Sequence, residues 1–190
     1  DNVIAVETHV NYMRTATVSM QASIFRVEGT PDDNSSVPAD RNTDPTDATQ
    51  PINAASVKSG TVIQTGDEWN YWTSTDAPAS DWATTGSLQS WNRGSGPIGW
   101  GDSAAVTALD IAKKDRAVTY YFARDIDLGA ISPNTTLTVK VRADDGAVLR
   151  VNGKIVDTKR MSDGNITHTT YANSAVSAAK AASDLLEVTI

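Results

Sequence analysis

Apolar and polar positions alternate with a period of two along much of the chain, the pattern of half-buried strands. In residues 3–10, Ile4, Val6, Thr8 and Val10 fall on one face. In residues 16–27, Val18, Met20, Ala22 and Ile24 do the same, opposite Ser19, Gln21 and Ser23. Two strands are predicted here, joined by a short loop around 11–15. Residues 57–64 and 118–122 also read as strands. So does 136–143, where Leu137, Val139 and Val141 oppose Thr138, Lys140 and Arg142. Residues 147–151 and 154–158 flank Asn152-Gly153. Asn-Gly between two β runs is a strong hairpin signal, because both residues tolerate positive φ. Residues 172–183 are rich in Ala and Ser and have room for one or two helical turns. A last strand is predicted over 185–190. Many short strands with turn signals and little helix predict an all-β sandwich.

The pattern fails over 29–56. Pro31, Pro38, Pro45 and Pro51 punctuate a stretch rich in Asp, Asn, Ser and Thr, too polar to build a core. It reads as a linker, able to span up to roughly 85 Å at ~3.3 Å per residue. The chain therefore divides into a strand pair (1–28), a linker (29–56) and a body (57–190). Within the body, 65–102 holds all five Trp among Gly, Ser, Asp and Pro and reads as loop with its own aromatic packing.

With 190 residues the chain suits one domain with a real core. A net charge of −7 without any Lys/Arg cluster argues against nucleic acid and anionic lipid as partners. No apolar run reaches the ~20 residues of a membrane helix. The absence of cysteine excludes disulfides, zinc–thiolate sites and thiol nucleophiles. No signal peptide is visible, and the opening in mid-strand suggests a processed or trimmed sequence.

Three segments carry a family resemblance. Trp69-Asn70-Tyr71 leads through Trp82 and Trp91 to Gly96-Pro97-Ile98-Gly99-Trp100-Gly101; next comes Tyr120-Tyr121-Phe122-Ala123-Arg124; last is Asp144-Asp145-Gly146 with Asn152-Gly153. This order resembles the galactose-binding-like jelly-roll modules of secreted bacterial surface proteins. The resemblance implies a non-catalytic jelly-roll β-sandwich, an extracellular or cell-surface location, and glycans as candidate partners. It also implies a closing segment of the form Asn-x-x-Ala-Val-Glu-x-His after the body. Here that segment is Asn2-Val3-Ile4-Ala5-Val6-Glu7-Thr8-His9, placed ahead of the body.

A sandwich lacking these strands would expose unpaired backbone and an apolar groove. Three arrangements fill it. The N-terminal pair completes its own body as a circular permutation, or a neighbouring chain by donor-strand complementation, or the chain is a slice of a tandem array. Donation is the favoured expectation. It makes Val3, Ile4, Val6, Val10, Val18, Met20, Ala22 and Ile24 the donated surface, with copies joined head to tail in a filament. The alternative is a self-complemented carbohydrate-binding accessory domain.

The sequence contains no nucleophile elbow, phosphate loop or paired-histidine motif. Its two histidines are His9 and His168. His9 lies in the phase opposite Ile4 and is expected to face solvent or a sheet neighbour. Asp144 and Asp145 suit a calcium ion or sugar hydroxyls, but a turn in which Asp caps backbone groups explains them as well and is preferred. No other cofactor is expected. Trp69, Trp82 and Trp91 are expected to be buried. Trp72 and Trp100, expected to be partly exposed, join Asp144, Asp145 and Asn152 as candidate ligand-binding residues. Lys140 is read as solvated rather than as an isopeptide partner. Asn34, Asn134 and Asn165 head Asn-x-Ser/Thr sequons of the number chance provides.

Overall fold

The computed structural model describes residues 2–13, 15–28, 60–84, 88–129, 131 and 134–190. The predicted linker, 29–56, lies outside these residues, as does Asn34. The strands are β1 (Asn2–His9), β2 (Val18–Glu28), β3 (Gly60–Ile63), β4 (Glu68–Trp72), β5 (Asn92–Ser95), β6 (Ile98–Trp100), β7 (Thr107–Ala108), β8 (Thr119–Ile126), β9 (Thr135–Asp144), β10 (Gly146–Val151), β11 (Lys154–Lys159) and β12 (Leu186–Thr189). One helical turn, α1 (Ala178–Ala181), precedes β12. Its N-cap is Ser177, whose side chain accepts from the Lys180 N–H.

The strands form two sheets. The first runs β11-β10-β1-β8-β4-β5. The second runs β12-β9-β2-β6-β7, with β3 also on β2. The described residues form a two-sheet, β-sandwich-like arrangement whose regular structure is almost all strand. From β8 to β12, and from β1 to β2, the chain changes sheet repeatedly: β8 and β10 lie in the first sheet, β9 and β12 in the second.

The inward faces match the alternation in the sequence. Ile4, Val6, Val10, Val18, Met20, Ala22 and Ile24 enter one core with Trp69, Ile98, Phe122, Val139, Val141 and Leu149. Asn152 (φ 50°) and Gly153 (φ 80°) form the tight turn between β10 and β11. The region 65–102 departs from expectation. It contains β4, β5 and β6: β4 carries the strand-favouring Trp69, Tyr71 and Trp72, whereas β5 (Asn92-Arg93-Gly94-Ser95) pairs despite low strand propensity.

Residues 2–28 supply an internal strand to each sheet. β1 pairs with β10 (Val6 opposite Leu149) and with β8 (Val6 opposite Phe122). β2 pairs with β9 from Ser19 to Glu28, and with β6 and β3 on its other side. Asn2 lies opposite Ile126, Glu28 opposite Thr135, Arg26 opposite Gly60, and Ile190 exchanges hydrogen bonds with Leu137. Arg26 Nη1 also donates to the Leu128 carbonyl, tying the second sheet to the end of β8. Both ends of segment 2–28, the start of β3 and Ile190 thus share one pole of the sandwich.

Candidate functional site

The two strands of the N-terminal segment are buried differently. β2 faces the core with one side only. β1 is buried on both, with Val3, Ala5, Glu7 and His9 turned away from the core yet at most 3% exposed. Two covers lie over this outer face. One comes from the stretch between β4 and β5: Trp82, Ala83, Leu88 and Trp91 pack on Val3, Ala5, Tyr121 and Ala123. The Trp82 ring stacks on Trp91 at 5.7 Å and meets Tyr121 edge-on at 4.9 Å. The other follows β11: Met161 and Ala172 pack on Val148.

His9 therefore does not face solvent. The outward phase expected for it is right, but the cover after β11 encloses it. Its Nδ1 lies 2.8 Å from the Thr170 carbonyl and 3.0 Å from Thr119 Oγ1. That hydroxyl donates to the His168 carbonyl at 2.6 Å, so it accepts from His9. His9 Nε2 lies 3.2 Å from Glu7 Oε2. Both ring nitrogens are thus within hydrogen-bond distance of oxygen atoms. Arg150 Nε donates to Glu7 Oε1 at 2.5 Å, and Arg150 Nη1 donates to the Gly153 carbonyl at 3.1 Å. Burial alone would raise the Glu7 pKa, but the His9 hydrogen bond and the Arg150 charge outweigh it and hold the pKa below the usual value. Burial first, and the Glu7 charge second, push the Tyr121 phenol well above its ordinary range. Glu7, Arg150, Tyr121 and His9 were not among the residues singled out as ligand-binding.

His168 joins the two covers. Its ring stacks on Tyr121 with centroids 5.8 Å apart. Its Nε2–H donates to the Thr75 carbonyl at 2.5 Å, and its Nδ1 accepts from the Tyr121 hydroxyl at 3.0 Å. Between the covers opens a cavity of about 300 Å³, floored by Glu7, Tyr121 and Arg150 and walled by Trp82 and His168.

The candidates from sequence do not gather there. Trp72 is half-buried beside Trp91 (6.0 Å), and its Nε1–H donates to the Asp76 carbonyl. Trp100 is buried at 5% exposure rather than partly exposed: β6 is internal to the second sheet, and the Arg116 guanidinium covers the ring at 3.5 Å. Asn152 clasps the start of β1. Its Oδ1 accepts from the Val3 N–H at 2.8 Å, and its Nδ2 donates to Asn2 Oδ1 at 3.0 Å. Trp69, Trp82 and Trp91 are buried, as expected. Lys140 is half-exposed and pairs with Glu187 at 3.1 Å. Asn134 and Asn165 are exposed.

Asp144 and Asp145, joined by a cis peptide bond, are both buried. Asp145 accepts the Asn11 N–H on Oδ2 and the Val176 N–H on Oδ1, each at 2.9 Å. Asp144 Oδ2 accepts the Thr17 hydroxyl at 2.5 Å. Its Oδ1 has no donor, and the Asp145 carboxylate is its neighbour. Burial and that second carboxylate raise the Asp144 pKa to about 7. A proton on Asp144 turns the facing carboxylates into a hydrogen bond. Asp145 thereby ties the loop after β1 and the segment before α1 to the end of β9. Among the described residues no group of three or more His, Asp or Glu side chains could hold a metal ion. Nor, among them, is any helix long and apolar enough to cross a membrane.

Comparison with protein families, with curated proteins and with solved structures finds no match.

Proposed function

We propose that this chain is a non-catalytic, extracellular structural module in which residues 2–28 act as a completing element. One observation carries the reading: a single segment supplies an internal strand to both sheets while joining the rest of the sandwich only through residues 29–59. Within one chain the segment closes its own body. Between crowded copies it exchanges, making the same contacts with a neighbour and linking copies head to tail at the cell surface. The intrachain form holds the advantage in dilute solution, because covalent connection makes closure an intramolecular event. A galactose-binding-like jelly roll is the fold type that fits this reading. Support comes from the alternation of successive strands between sheets and from the places of Asn2, Glu7 and His9 in the clasp and cluster around β1.

The test is solution size combined with deletion. Light scattering should show a monomer at micromolar concentration. Refolding near the millimolar range should yield dimers and larger species that persist on dilution. Deleting residues 1–28 should abolish cooperative unfolding, and adding that peptide back should restore it. A deletion variant that stays folded would overturn the completing role. A chain that stays monomeric after concentrated refolding would overturn exchange.

A second reading, a self-complemented carbohydrate-binding accessory domain, is favoured by the cavity over β1.

A further inference from the structure

We infer that the pole of the sandwich carrying the β1–β2 loop docks on the opposite pole of a second copy of this chain, a basic cavity against exposed carboxylates. The contact needs no exchange of strands and does not rest on it.

The chain is acidic overall, with a net charge of −7, yet three of its cations gather just ahead of β8. A single 3-10 turn, Lys113–Asp115, leads into this strand. Met13, Lys113, Lys114 and Arg116 line a cavity of about 410 Å³ with no acidic side chain in its wall. Lys113 and Lys114 are exposed, and Lys113 has no partner among the described residues. Lys114 meets Asp115 at 3.8 Å, but both side chains are more than half exposed, so the pair is weak. Arg116 is held in place: its guanidinium lies 3.5 Å from the Trp100 ring centroid, and its Nη1 donates to the Thr15 carbonyl at 3.3 Å. Met13 is nearly half exposed and adds an apolar contact. Asp110 is exposed nearby in the chain but does not line the cavity.

At its other end β8 carries the opposite sign. Asp125 and Asp127 are exposed there, and the Arg26 guanidinium at the same pole is ion-paired with Glu28. β8 is eight residues long, so its ends stand roughly 25 Å apart at ~3.3 Å per residue. That is about three Debye lengths at physiological salt, so neither end neutralises the other. Basic end to acidic end is the attractive pairing, and like ends repel, which fixes the orientation of approach. Such a contact is heterologous and adds copies in a row. Segment 2–28 ends and β3 begins at the acidic pole, so the basic end is open whether or not strands exchange. A few exposed charges and one apolar side chain make a weak, salt-dependent contact.

The experiment is sedimentation of the full chain, prepared as a monomer without concentrated refolding, up to ~1 mM protein at ~20 mM and ~500 mM sodium chloride. Association should be reversible, with a Kd of roughly 0.1–1 mM at low salt and at least ~10-fold weaker at high salt. Dilution should dissolve it, whereas strand-exchanged species persist, so failure of one contact is distinguishable from failure of the other. Lys113→Glu with Lys114→Glu reverses the basic end at exposed positions. Asp125→Lys with Asp127→Asn reverses the acidic end and keeps a side-chain oxygen for the Gly129 N–H, which Asp127 Oδ1 accepts at 2.8 Å. Each double variant alone should lose at least ~10-fold in association with an unchanged melting temperature. An equimolar mixture of the two should regain it, because each variant then meets a complementary end. If the second double variant fails to fold, Asp125→Lys alone takes its place. Three results would overturn the inference: a monomer at ~1 mM and low salt, association indifferent to salt or to both variants, or a mixture no more associated than its components. If the chain stays monomeric while ~10 mM inorganic phosphate shifts the Met13 methyl resonance, the cavity takes a small anion and not a second copy.

Discussion

Glu7 and Asp144 are both buried carboxylates, one on each sheet, and their pKa values are pushed in opposite directions. Glu7 meets a guanidinium and a histidine, and its pKa falls despite burial. Asp144 meets a hydroxyl and a second carboxylate, and burial drives its pKa to about 7. Burial raises both; the neighbours decide the outcome. The first arrangement builds a charged, preorganised floor beneath a cavity. The second builds a proton-bridged knot that fixes loops at the end of β9. The contrast also separates two meanings of a perturbed carboxylate: the more strongly shifted residue, Asp144, lines no cavity described above, whereas Glu7 floors one.

The largest effect should come from removing the partner that keeps Glu7 charged. Arg150→Met leaves a buried carboxylate facing only His9 and should cost about 3–5 kcal/mol at pH 7. Urea unfolding measures it. Adding Glu7→Gln to Arg150→Met should recover at least half of the loss, because the stranded charge is then gone. If the double variant is as unstable as the single one, the cost lies in packing, and the Glu7 charge is not what Arg150 supports.

Asp144 should show a stability–pH slope of the opposite sign to that of Glu7. The folded chain holds the Asp144 proton up to about pH 7, whereas the unfolded chain loses it near the ordinary value of 3.8. Between these values the folded state binds more protons, so Asp144 destabilises the fold progressively as pH rises, by up to about 4 kcal/mol. Asp144→Asn mimics the protonated acid: its carbonyl accepts from Thr17 and its amide donates to Asp145. The variant should match wild type near pH 4 and exceed it near pH 8. A wild-type-minus-variant difference that does not change with pH would show that Asp144 keeps an ordinary pKa.

These two clusters differ in how legible they were along the chain. Period-two alternation placed β1, β2 and β9 and their core faces, because one face of each strand meets a continuous apolar interior. Asn152-Gly153 placed the hairpin through backbone sterics alone. Asp144-Asp145-Gly146 pointed to turn-type capping, and Asp145 does accept two backbone N–H groups. The Glu7 cluster was not legible. Its members come from β1, β8, β10 and the cover after β11, and alternation reports only that Glu7 and His9 leave the core. That a second layer covers them depends on Trp82 and Met161, far along the chain. Trp100 misled for a related reason: a Gly-rich surrounding reads as loop, yet β6 lies inside a sheet. The one signal for the cluster was the spacing Ala-Val-Glu-x-His, which puts Glu7 and His9 on the same face of a strand.

A smaller effect tests the Glu7 charge itself. Glu7→Gln keeps the side-chain shape but weakens two charge-assisted bonds, and should cost about 1–2 kcal/mol at pH 7. The folded-state pKa of Glu7 is depressed, so its contribution is complete above the ordinary value of 4.5 and is lost as pH falls through the folded one. The cost of the substitution should therefore shrink below about pH 4. An unchanged cost at pH 3 would mean that Arg150 and His9 do not distinguish the carboxylate from its neutral form.

The smallest effect concerns calcium at the Asp144–Asp145 pair. A cation needs carboxylate oxygens free of other partners, with further oxygens to complete six to eight ligands. Both Asp145 oxygens are engaged by backbone N–H groups, and Asp144 Oδ2 by a hydroxyl. The remaining oxygen, Asp144 Oδ1, is where the proton belongs. A calcium ion would have to displace that proton and break bonds that hold two loops. At pH 7, ~5 mM calcium against excess chelator should therefore shift the melting temperature by less than ~1 °C. A rise of several degrees would place a cation at the pair in competition with the proton. Two signs would then follow together: the rise would grow from pH 5 to pH 8, and Asp144→Asn would abolish it while destabilising the calcium-bound chain. That combination would reverse the contrast with Glu7, making both clusters charged and distinguishing them only by the cation that balances each.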